Sequence, residues 1–138
     1  MCDGQLNQAG SVLRSVTGVS LAGGKPIKAI YDSYGTPTFA GDLAQRLYEL
    51  VRLDKPYIFH VTNSGSGASY AGFAEKVCEI KGFDRSLLEY TPSASLKRPA
   101  PRPHSSKLEC IISGKFGLRI IRPWETALAE FLKEGEKN

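Results

Sequence analysis

The spacing of hydrophobic positions along this chain changes several times, and each change marks an element. Leu6, Ala9, Val12, Leu13, Val16 and Val19 recur near helical spacing before the stop Gly23-Gly24, which predicts a helix over 6–21, weakened by Gly10 and Gly18. Ile27-Lys28-Ala29-Ile30 alternates like a short strand. Leu43, Leu47, Leu50 and Val51, flanked by Ala44 and Tyr48, make an apolar stripe that predicts an amphipathic helix over about 40–53. Asp42 falls in its first turn, where the helix dipole favours a carboxylate. Tyr57-Ile58-Phe59-His60-Val61-Thr62 is the most strand-like run, aromatic and β-branched almost throughout, and it ends in the turn-forming cluster Asn63-Ser64-Gly65-Ser66-Gly67.

A second helix is predicted from about Ser69 to Lys81, with Tyr70, Phe73, Ala74, Val77 and Ile80 on one side and Gly82 as its stop. Leu87-Leu88-Glu89-Tyr90 is a short strand candidate. The prolines from Thr91 to Ser106 remove donors and bias their neighbours to extended backbone, so no regular element is expected there. A last helix from about Pro123 to Lys133 has proline at its first position and turns Trp124, Leu128, Phe131 and Leu132 toward a core. This alternation predicts a small α/β fold of few short strands with flanking helices. Two or three short strands make a poorly covered sheet, which reads as part of a larger architecture.

A length of 138 residues, with 41% hydrophobic and 23% charged positions, suits one globular domain. Residues 24–138 are read as that domain and 1–23 as an N-terminal helical segment. The chain has no run of about 18 apolar residues, and its start lacks a signal peptide's basic and apolar regions, so a cytoplasmic protein with no membrane partner is expected. Cys2, Cys78 and Cys110 are odd in number and fit no zinc spacing, and neither His60 nor His104 sits at metal-ligand spacing, so no disulfide framework and no metal are expected. The net charge of +4 is unevenly spread: residues 97–122 carry seven basic side chains against Glu109 alone. Such a segment suits nucleic acid, a phosphorylated small molecule or nothing in particular, and the missing zinc-finger, RNP and basic-helix signatures argue against the first.

Three stretches carry candidate chemistry. In YGTPTFAGDLA, residues 34–44, Gly35 permits positive φ, Thr36 is a candidate cap, Pro37 fixes φ and Asp42 complements the dipole, so the stretch reads either as a turn feeding a helix or as a presented site. NSGSG stands between a predicted strand and a predicted helix, the setting for an anion at a helix N-terminus, but it matches neither the P-loop nor the dinucleotide fingerprint and serves equally as a turn. In RPAPRP the prolines stiffen a loop that carries Arg98 and Arg102, whose guanidinium forks suit phosphate oxygens. The alternatives are a solvated basic loop or a proline-motif ligand for another protein. None of the six tyrosines has a lysine four residues on, and a G-x-x-G-x-x-G run is absent, so no catalytic residue for a nicotinamide-dependent reduction is found.

In order along the chain, PIKAIYDSYGTPTFAGDLA, IFHVTNSGSGASYAGFAEKVCEI, LKRPAPRPHSSKL and RPWETALAEFL resemble the C-terminal half of dTDP-4-dehydrorhamnose reductases, over about residues 24–132. The resemblance implies the substrate-binding domain of an extended short-chain dehydrogenase. Its reaction would be the NADPH-dependent reduction of the 4-keto group of a dTDP-deoxysugar on the way to dTDP-L-rhamnose. It places Thr36, Pro37 and Thr38 at the cleft where substrate and cofactor meet, Gly35 and Asp42 as structural residues of the domain junction, and Arg98 and Arg102 toward the nucleotide sugar. The cofactor half has no counterpart here, so a Rossmann domain would be supplied in cis or in trans. No cofactor is expected on this chain alone, and NADPH is implied for the complete enzyme. The MCDGQLNQAG start departs from the family and suggests a cut gene or an alternative start. A homo-oligomer and a non-catalytic regulatory or partner-binding role are the remaining expectations.

Overall fold

The computed structural model describes residues 21, 23–96, 99–100 and 102–134, which fall into two compact units. The first comprises Met1–Tyr34 with Ala68–His104, and the second Gly35–Gly67 with Ser105–Asn138. The helix expected over 6–21 lies outside the described residues, Leu21 excepted, as do Lys97, Arg98 and Pro101.

In the first unit, β1 (Ile27–Ile30) pairs in parallel with β4 (Leu88–Thr91), Ile27 opposite Leu88 and Ile30 opposite Thr91. Alternation sends Ile27 and Ala29 inward and leaves Lys28 exposed. Helix α2 (Tyr70–Lys81) packs on both strands. It starts where Ser69 Oγ accepts the Gly72 N–H at 3.0 Å and stops at Gly82, whose φ of +71° favours glycine. Its bounds match the spacing, and its buried face matches the expectation in part. Ala71, Ala74, Val77 and Cys78 are buried, whereas Tyr70, Phe73 and Ile80 are half-buried. Small side chains let the helix lie close against its two strands, and the bulkier ones are displaced to the rim.

The second unit holds α1 (Ala40–Leu53), α3 (Ile111–Lys115) and α4 (Trp124–Glu134). Trp124, Ala127, Leu128 and Leu132 of α4 are buried and supply most of its apolar core. Two-residue strands β2 (Tyr34–Gly35) and β3 (Ala68–Ser69) mark where the chain passes from one unit to the other.

Two expectations are corrected here, and one element is added. Tyr57–Thr62 forms no strand among the described residues, and the nearest pairing is a single parallel bridge between Ser64 and Pro123. A strand needs a neighbouring backbone, and these side chains instead gather on one ring: Phe116 lies 5.4 Å from Tyr57 and 6.0 Å from Phe59, centroid to centroid. Helix α3 has no periodic signature in its five residues, IISGK, and was not anticipated. The other correction concerns α1, whose apolar stripe is split, with Leu43 and Leu50 half-buried. Leu47, Tyr48 and Val51 are 49%, 64% and 77% exposed, while Arg46 is buried.

Candidate functional site

The GTPTF loop reaches α1 without a side-chain cap. Phe39 occupies the N-cap position, and Thr36, the expected cap, does not serve as one. Thr38 Oγ1 donates back to the Thr36 carbonyl at 3.3 Å, a local bond that stiffens the loop, and leaves Thr38 exposed. The loop is held from outside: the Phe39 N–H donates to Asn63 Oδ1 at 2.8 Å, and the Leu43 N–H donates to the Phe39 carbonyl at 3.0 Å.

Asn63 is only 2% exposed, and its amide has no idle group. Oδ1 takes the Phe39 N–H, and Nδ2 donates to Asp42 Oδ2 at 2.7 Å and to the Arg122 carbonyl at 3.1 Å. Burying an amide is costly unless it is satisfied, so this side chain has one favourable arrangement. The Ser64 N–H donates to the Arg122 carbonyl at 3.2 Å and the Trp124 N–H to the Ser64 carbonyl at 3.0 Å, which straps the end of the YIFHVTN run to the start of α4.

Asp42 and Arg122 complete the cluster. Arg122 Nε donates to Asp42 Oδ2 at 2.9 Å, Nη1 donates to Glu130, and the guanidinium lies 5.5 Å from the Phe39 ring centroid. Phe39 in turn meets Phe131 of α4 edge-on at 6.3 Å. Burial opposes ionisation of Asp42, but the hydrogen bonds from Arg122 and Asn63 and the Arg122 charge outweigh it and hold the carboxyl below its ordinary value. The bond from Arg122 likewise keeps Glu130 low, and the two carboxylates, Glu130 foremost, push Arg122 up. Two acids and one base locked this way form a stable ionic support, not a poised acid or base.

Beside it lies a cleft of about 160 Å³, lined by Asp42, Arg46, Glu49, Arg119 and Arg122 among others. Arg46 Nε donates to Glu49 at 2.8 Å, and Nη2 donates to the Arg119 carbonyl. The buried guanidinium is thus committed to the protein itself.

The NSGSG loop is shaped by close approach. A Cβ on Gly67, whose φ is +74°, would stand 2.6 Å from the Gly35 carbonyl oxygen and 2.7 Å from Lys107 Cδ. Lys107 Nζ donates to the Ser66 carbonyl at 3.2 Å. The donors at the start of α2 are met in part by Ser69.

The residues singled out from the sequence are therefore distributed as follows. Gly35, Thr36, Pro37, Thr38 and Asp42 share the second unit, held by Asn63 and Arg122. Arg102 is exposed and belongs to the first unit, and Arg98 lies outside the described residues. Asn63, Arg122 and Arg46 were not singled out as site residues. Along the sequence Asn63 reads as a turn former and Arg122 as one charge in a basic segment, and no local signal pairs Arg122 with an acid 80 residues away. Among the described residues no group of three or more His, Cys, Asp or Glu side chains could hold a metal ion, and no helix is long and apolar enough to cross a membrane.

The model of the RmlD substrate binding domain family matches residues 9–137. The chain is 36% identical over 110 residues to the Streptomyces antibioticus protein named "Probable dTDP-4,6-dihydroxy-2-methyloxan-3-one 4-ketoreductase", a match that covers 79% of this chain and 37% of that protein. It is 33% identical over 109 residues to dTDP-4-dehydrorhamnose reductase of Streptomyces griseus, covering 75% of this chain and 36% of the relative. The crystal structure of dTDP-4-dehydrorhamnose reductase from Bacillus anthracis in complex with NADP shares the fold, with a TM-score of 0.78 at 22% identity over 93% of this chain and 43% of that one. The chain thus spans well under half the length of these proteins.

Proposed function

We propose, since this chain belongs to the RmlD substrate binding domain family, that it forms the nucleotide-sugar side of a dTDP-4-dehydrorhamnose reductase. In this reading Thr36, Pro37 and Thr38 are substrate-binding residues of the second unit, and Arg98 and Arg102 are substrate-binding residues of the first. Gly35 and Asp42 keep the junction loop in shape. NADPH, the hydride it carries and a tyrosine-lysine pair would come from a Rossmann domain in cis or in trans, so these residues alone do not carry out the reduction.

One observation carries the reading: the GTPTF loop is built rigidly from behind, by Asn63, Asp42 and Arg122, while Thr38 stays exposed. A binding loop gains affinity when its ordering cost is met before the ligand arrives. Calorimetric titration of the folded chain with dTDP-L-rhamnose, with dTDP as the control, tests it. Binding at about 1 mM, the strength of half a site, is expected. Absence of heat from a folded sample, together with no NADPH oxidation when a reductase's Rossmann half is added, would overturn it.

A second reading, a partner-binding domain without catalysis, is favoured by the outward face of α1, where Leu47, Tyr48 and Val51 lie exposed within two helical turns. It predicts concentration-dependent association in sedimentation. A strictly monomeric chain at high concentration would remove it.

A further inference from the structure

The carboxyl ends of β1 and β4 point the same way, because the strands are parallel, and the chain leaves both at one edge. The Tyr31 N–H donates to the Thr91 carbonyl at 3.3 Å and extends the pairing by one residue. Just beyond it stands Asp32, and three bonds converge there. Its Oδ1 accepts the Ser93 N–H at 2.7 Å, its Oδ2 accepts the Ser93 hydroxyl at 3.0 Å, and its backbone carbonyl lies 3.1 Å from His104 Nδ1. A carbonyl only accepts, so Nδ1 carries the hydrogen and donates. The His104 carbonyl then accepts the Tyr34 N–H at 2.7 Å. The basic proline loop begins beside Ser93 and ends at His104, so one residue ties both of its ends.

The geometry points to Asp32 as the positioning residue of that loop: by closing it at Ser93 and His104 it presents Arg102, two residues before His104, to the diphosphate of a nucleotide ligand. This rests on the proposed nucleotide-sugar site for its ligand, but not for the closure itself. A charged carboxylate at the Ser93 end and a backbone carbonyl at the His104 end reduce the conformations the loop must surrender on binding, and the prolines in its sequence reduce them further. Asp32 contacts no ligand in this scheme and acts only through the loop.

The experiment measures dTDP affinity by calorimetry for the wild-type chain, Asp32→Ala, Arg102→Ala and the double variant, and in parallel the amide exchange of Tyr34 and Ser93. Asp32→Ala should weaken dTDP binding about tenfold, the scale of one charged hydrogen bond, and so should Arg102→Ala. The double variant should be no weaker than either single one, because an undirected loop and a loop without its arginine fail at the same contact. Asp32→Asn keeps an acceptor for the Ser93 N–H and should stay within about threefold of wild type. Multiplicative losses in the double variant, or an Asp32→Ala chain that is less stable yet binds as wild type when folded, would overturn the inference. The exchange readout needs no ligand. Alanine keeps the Asp32 backbone carbonyl that takes His104, so the Ser93 amide reports the side-chain tie: if wild type fails to bind dTDP while Asp32→Ala speeds exchange at Ser93, the nucleotide-sugar reading fails and the closure stands; unchanged exchange at Ser93 overturns the closure whatever the ligand does.

Discussion

Helices α1 and α2 are close in length, each begins after a glycine-containing loop, and each shows apolar residues at helical spacing, yet they bury opposite kinds of face. Helix α2 places Ala71, Ala74, Val77 and Cys78 against β1 and β4. Helix α1 buries Arg46, with Asp42 and Glu49 on the same side, and turns Leu47, Tyr48 and Val51 to the outside. Periodicity in both cases correctly marks a helix. Which side faces inward depends on what the rest of the unit offers, and here the Arg119 carbonyl, Asn63 and Arg122 offer polar partners to α1 where the strands offer α2 a flat apolar one.

The largest test of that contrast is a charge on each helix. Ala74→Asp puts a carboxylate where no water reaches, Ala74 being 0% exposed, and should cost more than about 3 kcal/mol and unfold the first unit, read by circular dichroism and urea denaturation. Next comes Asn63→Ala, which strands the Phe39 N–H, the Arg122 carbonyl and half of Asp42's support; a loss of about 3 kcal/mol in urea unfolding is expected. If its midpoint stayed at the wild-type value, the polar cluster would not be what organises α1.

Acid then tests the polar side of α1. The folded-state pKa of Asp42 lies below its ordinary 3.8, so its contribution is complete above that value and lost as pH falls through the depressed one. Stability of the second unit should therefore fall in that acid window, and Asp42→Asn should flatten the fall; an identical acid limb in both proteins, followed by Trp124 fluorescence, would contradict this. The smallest effect is expected from Val51→Lys, within about 0.5 kcal/mol of wild type in denaturation because the residue is already in water. Any self-association through α1 should disappear with it. A stability loss as large as that of Asn63→Ala would mean that the stripe is packed after all.

The elements that could be read along the chain are those whose signals are local. Helices α1, α2 and α4 and strands β1 and β4 begin and end within a residue or two of their expected bounds, because caps, glycine stops and prolines act over a single turn. Tyr57–Thr62 has the composition of a strand but no strand to pair with among the described residues, and α3 has a neighbourhood and no composition to announce it. The candidate site divides along the same line. Gly35, Thr36, Pro37, Thr38 and Asp42 stand out because they form one contiguous motif, whereas Asn63, Arg122 and Asp32 act through partners 21 to 80 residues away.

What the amino-acid order determined by itself is the α/β alternation, the position of the helices, the concentration of positive charge between residues 97 and 122, and the motif that marks the GTPTF loop. What only the tertiary structure decided is the direction each helix faces and the identity of the residues that hold the loops. Propensity is a property of neighbours in the chain, while burial and hydrogen-bond satisfaction are settled among groups that only folding brings together. An arginine is therefore found inside and a valine outside on one helix, each with a stated set of partners or with water.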